Sequence, residues 1–511
     1  MISTETTDVV IINPAQSGVY QSAQERTDYP AFEPPYLGLL TAATLREKGY
    51  SSTVIDANVE GLSPEKTAQK VLNYKPRIAH VIVHGNQPSA SSQLMGWTNT
   101  VANKLSDSSS RPLIVLSGTH PSALPEQTLK ESKGDIVIRG DGFNTLLDLL
   151  EGRPYSETRG ALYLLDNHLA SGPQDRLTSS EELARLPFAA WDLIDISKYR
   201  AHDWHSLENI SARQPYAAIY TSFGCPFSCT FCCINAPFNN GGENRNTIRF
   251  RSPQKIVDEL EILVGKGVRN VKIIDEMFIF NPRHYIAIAN EIVKRDLGDK
   301  LNMWAYARVD TVKEGNLDLL KNAGFNWLGI GIESGSAHVR NGSEKTLDDF
   351  DIKGVVKKIQ SHGINVVGNY IFGLPDDTLE SMEQTLQLSR DVGADRPNFY
   401  CAMAYPGSEL HRMAQQGRLP RPIDWPVERA LLPEDQNGPG WIGYSQHSYQ
   451  TWPLPTARLM PEQVLSFRDK ALRYFISPEY RTIIESKFGK STADLFCEPN
   501  AKTPKRMILE K

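Results

Sequence analysis

Twice along its 511 residues the chain repeats one pattern: a short apolar run, a break rich in turn-forming residues, then a helical stretch. Such alternation builds a parallel sheet with helices on its faces, and ligands gather beyond the carboxyl ends of the strands. In the first series, strands are expected at 9–12, 52–55, 78–83, 113–116 and 135–138, with helices at 37–48 and 143–151. The second series has strands at 217–220, 271–274, 302–306, 327–332, 365–371 and 398–403. Six βα units suit a partial barrel with its site at the same end of the strands. One helix of this series is expected to start at Pro253, with Ser252 as its N-cap. Between the series, prolines and polar clusters mark 152–210 as a linker with one hairpin, 161–164 with 168–169. Past residue 410 the patterns are helical, notably 461–474 and 478–488. An aromatic, Gly/Pro-rich stretch at 438–449 reads either as a cover over substrate or as a surface-packed connector. The expected fold is α/β: a Rossmann-like domain at 1–151, the linker at 152–210, a (β/α)6 partial barrel at 211–410 and a mainly helical region at 411–511.

The second series opens on a loop that carries chemistry. Directly after its first apolar run comes Gly224-Cys225-Pro226-Phe227-Ser228-Cys229-Thr230-Phe231-Cys232, with cysteines spaced Cys-x3-Cys-x2-Cys. Three thiolates on one tight loop can hold three irons of a [4Fe-4S] cube and leave the fourth iron open to a small molecule. Structural zinc is normally closed by four ligands, and no second Cys or His pair with zinc spacing follows nearby.

The spacing, with Pro226 after the first cysteine and Phe231 before the third, closely resembles the cluster loop of the radical S-adenosylmethionine (SAM) enzymes. The resemblance implies that Cys225, Cys229 and Cys232 bind the cluster, with Cys233 packed behind. It implies an electron from a flavodoxin- or ferredoxin-type donor, and reductive cleavage of SAM to methionine and a 5′-deoxyadenosyl radical that attacks an unactivated carbon. Phe231 matches the aromatic whose backbone lies by the adenine. Ile274-Asp275-Glu276 stands where the family commonly has Gly-Gly-Glu, so Asp275 and Glu276 are expected at the SAM amine. Arg308, in an Arg-Val-Asp match, is expected at the SAM carboxylate, with a structural ion pair to Asp310 as the alternative. Glu333 and Ser334, in a Glu-Ser-Gly-Ser match, are expected at its ribose and carboxylate ends. Residues 368–375 and Tyr405-Pro406-Gly407-Ser408 match the motifs of the fifth and sixth strands. Cys401, on the sixth strand, is expected either to relay a proton or hydrogen atom in catalysis or to pack as a small hydrophobe.

The first series is similar to the cobalamin-binding domain of B12-dependent radical SAM enzymes. The likeness lies in "VVIINP", "PPYLGLLTAATLREKGY", "LIVLSGTHP" and "IVIRGDGFNTLLDLL". It implies cobalamin contacts at Asn13, Gly38, His84, Gly118, Thr119, His120, Gly140 and Asp141. The Asp-x-His-x-x-Gly signature that supplies a histidine to cobalt in other B12 proteins is absent after the first strand. The lower cobalt face is therefore expected not to be held by that histidine, and His84 and His120 read either as residues that approach the corrin or as ordinary polar loop residues.

Composition narrows the partners. With 40% hydrophobic and 23% charged residues and a formal charge of −5, the chain offers no electrostatic footprint for nucleic acid or anionic membrane. No apolar run approaches a membrane span, and the polar first residues do not form a secretory leader. Of six cysteines four fall in 225–233, which argues against a disulfide scaffold and for a cytoplasmic setting. The expectation is a SAM-cleaving, cobalamin-dependent enzyme that methylates an unactivated carbon of a small metabolite. Its alternatives are a non-methylating radical reaction, or a B12-type domain that binds no corrinoid.

Overall fold

The computed structural model describes residues 6–16, 31–85, 90–238, 247–347, 350–426, 428–435, 439–497 and 505–510. Gly438, the first residue of the aromatic stretch singled out above, lies outside them. Two parallel sheets organise the chain. The first contains β1 (Val9–Asn13), β2 (Ser52–Asp56), β3 (Ile78–Val83), β4 (Leu113–Gly118), β5 (Ile136–Ile138), β6 (Ala161–Leu165) and β7 (His168–Ser171) in the order β2-β1-β3-β4-β5-β6-β7. The first five are parallel, and β1 and β3 are buried at every position but Asn13, as expected of strands covered by helices on both faces. The sheet does not stop at residue 151. The hairpin β6–β7 pairs antiparallel with β5 and so belongs to the sheet rather than to a free linker.

Past a string of short turns the chain enters β8 (Tyr216–Ile219), followed by a two-stranded antiparallel ribbon of β9 (Ser222–Phe223) and β10 (Arg249–Phe250). Then come β11 (Asn270–Ile273), β12 (Asn302–Arg308), β13 (Phe325–Glu333), β14 (Asn365–Phe372) and β15 (Arg396–Cys401). The six long strands pair in sequence order, β8-β11-β12-β13-β14-β15, all parallel, as an open barrel wall. β15 begins before Pro397, two residues earlier than the sequence suggests. Proline lacks the ladder donor, but β15 is an edge strand, where that loss is tolerated. Ser252 does hold the N-cap position of the helix Pro253–Gly265, yet its hydroxyl bonds the Gln254 side chain instead of the helix backbone.

The two sheets are joined by buried polar contacts. Glu259, on the first barrel helix, accepts from the Tyr36 hydroxyl at 3.1 Å, the Trp191 indole at 2.9 Å, the Ala189 amide at 3.1 Å and Arg251 at 3.0 Å. Lys272 on β11 donates to Glu33, from the segment before Tyr36, at 2.8 Å. The C-terminal helices Pro461–Ala471 and Pro478–Phe488 close the far edge, where Arg468 donates to the Phe399 carbonyl and Tyr480 to that of Asp395. Among the described residues no helix is long and apolar enough to cross a membrane.

Candidate active site between the sheets

The cysteine loop leaves the ribbon through Gly224, whose φ of +88° and close approach to the Thr247 carbonyl leave no room for a Cβ. The Asn235 side chain clasps the main chain of Cys225, accepting from its N–H at 3.1 Å and donating to its carbonyl at 3.0 Å. The Cys232 amide donates to the Cys229 carbonyl at 3.0 Å, which turns the loop back on itself. Burial raises the Cys225 thiol to about 12 and raises the Cys229 thiol as well, and charge on Cys229 raises Cys225 further. Among the described residues no three His, Cys, Asp or Glu side chains close around a single ion. Three thiols carried by one short, folded-back loop fit a multi-iron cluster held at its corners.

Beside the loop lies a cavity of about 230 Å³, at the carboxyl ends of the barrel strands. Of the residues expected there, Phe231, Cys232, Glu276, Glu333 and Cys401 line it. Burial pushes the Glu276 carboxyl up to about 8, against the pull of Lys272, and its Oε1 has no hydrogen-bond partner. Glu333 sits at φ +67°, where a register shift interrupts the β13–β14 pairing, and Lys345 donates to it at 2.9 Å. A non-glycine residue held in that region marks local backbone strain at the site.

Three expected SAM contacts do not line this space. Asp275 is fully buried and turns back to β8's end, accepting from the Thr221 amide at 2.6 Å, the Ser222 hydroxyl at 2.6 Å and the Thr221 hydroxyl. The Ser334 hydroxyl is buried against Thr385, 3.2 Å away. Arg308 forks onto Asp310, the alternative pairing, at 2.9 and 3.1 Å. In their place the cavity receives Lys272, Tyr306, Asn369, Tyr400, Tyr405 and Gln446. A lysine inside the apolar run 271–274 was the signal for the first. Gln446 comes from the aromatic stretch, clasping Cys401's amide at 2.9 Å and carbonyl at 2.8 Å.

Where the first sheet's carboxyl ends face the barrel there are two smaller spaces, of about 80 and 40 Å³. Gly118, Thr119, Gly140 and Asp141 line the larger, Asn13 and Gly38 the smaller, and His84 both. His120 lines neither. Its Nδ1 bonds the Ser92 hydroxyl at 2.9 Å, and its ring packs edge-on against Trp441, 4.4 Å between centroids. Three polar atoms on residues of the larger space lack partners: His80 Nδ1, Thr119 Oγ1 and Glu276 Oε1. Orphaned buried polar atoms around a cavity fit a site that takes a polar ligand. Glu276 lines both this space and the cluster-side cavity.

Fold and site together define a barrel enzyme with a cysteine-loop cluster site, faced by a second sheet domain at its open end. Comparison with known proteins agrees. The Radical SAM superfamily model matches residues 219–389 and the B12 binding domain model residues 31–150, together more than half of the chain. An uncharacterized methyltransferase of Pyrococcus horikoshii is 26% identical over 397 residues, 76% of this chain and 81% of that protein. The anaerobic magnesium-protoporphyrin IX monomethyl ester cyclase of Rubrivivax gelatinosus is 24% identical over 389 residues, 74% of this chain and 65% of that one. The radical S-adenosylmethionine methyltransferase TsrM of Kitasatospora setae, solved with cobalamin and a [4Fe-4S] cluster, superposes with a TM-score of 0.66 at 18% identity, over 93% of this chain and 89% of that one. The chain belongs to the radical SAM enzymes that carry a B12-binding domain.

Proposed function

We propose that this protein is a cytoplasmic, cobalamin-dependent radical SAM enzyme that methylates an unactivated carbon of a small metabolite. The observation that carries the reading is the shared wall at Glu276, which sets the cluster-side cavity against the ligand end of the B12-type domain. When bound, the cluster and SAM supply a substrate radical and the corrinoid a methyl group. Cys225, Cys229 and Cys232 hold the cluster, which takes electrons from a flavodoxin- or ferredoxin-type donor. Phe231, Glu276 and Glu333 face SAM, with Lys345 fixing the Glu333 carboxylate. His84, Gly118, Thr119 and Gly140 face the corrinoid. Tyr306, Tyr400 and Tyr405 close the reaction space against water, and Gln446 fixes the strand end that carries Cys401.

Anaerobic reconstitution tests the cofactors: about four irons per chain are expected, with stoichiometric cobalt after incubation with hydroxocobalamin. Four irons without cobalt would leave a radical SAM enzyme with a repurposed first domain. Turnover should release S-adenosylhomocysteine together with 5′-deoxyadenosine. Release of 5′-deoxyadenosine alone would favour a non-methylating reaction, a second reading that the relative named as a cyclase supports.

A further inference from the structure

Arg308 ends β12 and is only 5% exposed. Two of its donors, Nε and Nη2, are taken by the two oxygens of Asp310 at 2.9 and 3.1 Å. The face of its guanidinium lies on the Phe227 ring, 4.0 Å from Cζ to the centroid, and Phe227 is itself part of the cysteine loop. A planar group held along one edge and one face has little freedom left, and this fixes the direction of the remaining nitrogen. Nη1 points at the Cys229 sulfur, 4.0 Å away. The guanidinium is absent from the wall of the reaction cavity.

We propose that Arg308 is a positioning residue for the cluster's electronics: it donates toward the Cys229 sulfur, stabilises the reduced cluster and raises its reduction potential. The inference rests on the reading that Cys229 is a cluster ligand. Reduction adds one electron, and the added negative charge spreads onto the ligating sulfurs. A buried cation and an N–H donor at one of them favour that state, and hydrogen bonds to the sulfurs are a recognised control on cluster potential. At 4.0 Å the hydrogen bond is long, so the charge carries most of the effect, in surroundings that screen it poorly. Asp310 offsets the charge only in part. Its side chain is 22% exposed against 6% for Arg308, so water screens the carboxylate more than the guanidinium. The second cation near Cys229, Lys345, is paired with Glu333, which is as buried as itself.

The test is an EPR-monitored redox titration of the reconstituted full chain without SAM, after iron and sulfide assay. Arg308→Gln should lower the midpoint potential, and Arg308→Lys, which keeps the charge and loses the planar fork, should fall between it and wild type. Asp310→Asn should move the potential the other way, because it frees the cation from its counter-charge. A merely structural role predicts no such opposition of sign. Fully loaded Arg308→Gln protein at the wild-type potential, or both variants shifting in the same direction, overturns the inference. Should Arg308→Gln fail to load, Asp310→Asn decides: a rise supports the inference, and no rise overturns it. Wild-type protein that binds no iron would remove the cluster reading itself, and this inference with it.

Discussion

His84 Nε2 and the Tyr220 hydroxyl are hydrogen-bonded at 2.7 Å, one just past β3 of the first sheet and the other just past β8 of the barrel. Each stands at the carboxyl end of its sheet, so the bond ties together the two ends at which ligands bind. Burial holds His84 neutral, with its pKa lowered to about 4.

His84 is one of several histidines held in this way. Burial lowers His80, His120 and His205 to about 3 and His284 to about 4. An unfolded chain protonates these groups near 6.5, so between about 6.5 and 3 it binds more protons than the folded chain, and stability rises with pH. The contribution is complete above about pH 6.5 and lost as pH falls through about 4 to 3. Urea denaturation midpoints should therefore drop steeply on acidification below about pH 6. A flat profile there would contradict the buried, neutral state of these rings.

Gly118 ends β4 at φ +117°, where a Cβ would stand 2.1 Å from the Val83 carbonyl oxygen. Gly118→Ala forces β3 and β4 apart at the rim of the interdomain cavity, at a cost of about 1–3 kcal/mol for the backbone conformation alone. The barrel's cysteine loop is on the other sheet. Expected is a fall in bound cobalt with iron content kept, read from metal analysis of reconstituted protein. Parallel loss of both metals would show that the damage is global.

Cys232 and Cys233 are neighbours with different surroundings: Cys232 is exposed and Cys233 buried. Cys232→Ala should abolish the iron–sulfur absorption after reconstitution, as should Cys225→Ala and Cys229→Ala. Cys233→Ala should keep it, losing only the packing of a small buried side chain.

Local patterns made most of this architecture legible. The strands of both sheets follow from apolar runs and turn residues a few positions away, and the cysteine spacing lies within eight residues of chain, 225–232. Long-range pairing was not legible. The hairpin β6–β7 looked like linker because its partner, β5, is reached only through the fold. The directions of Asp275, Arg308 and Ser334 depend on Thr221, Asp310 and Thr385, and motif position does not say which way a carboxylate or guanidinium turns. Lys272 shows why the cavity's own residues were hard to assign: its partner Glu33 is 239 positions away.

Glu259 is the buried anion at which the two sheets meet, and its side chain is wholly inaccessible, as Arg251's nearly is. Glu259→Ala removes the acceptor for Arg251, Tyr36 and Trp191 together and strands a buried guanidinium. Loss of one partner of a buried ion pair costs about 3–5 kcal/mol, and a destabilisation of that size is expected in urea denaturation. Glu259→Gln keeps the shape and part of the bonding, so it should cost less. Equal losses in the two variants would mean that charge plays no part.

Glu276 titrates in the direction opposite to the histidines. Its carboxyl is raised by burial to about 8, with Asp275 adding to the rise and Lys272 opposing it. The folded chain therefore holds a proton on Glu276 at pH values where the unfolded chain, with an ordinary glutamate, has released it. The stabilisation this brings is complete below about pH 4.5 and is lost as pH rises through about 8, with a slope of at most about 1.4 kcal/mol per pH unit. Glu276→Gln resembles the protonated acid in shape and cannot ionise. In the protein without cofactors, the stability of wild type relative to this variant should fall between about pH 5 and pH 8 and level off above. Taking the difference between the two proteins cancels the histidine contribution, which both share. A difference that does not change with pH would place the Glu276 carboxyl in water, and the wall between the two cavities would then be open.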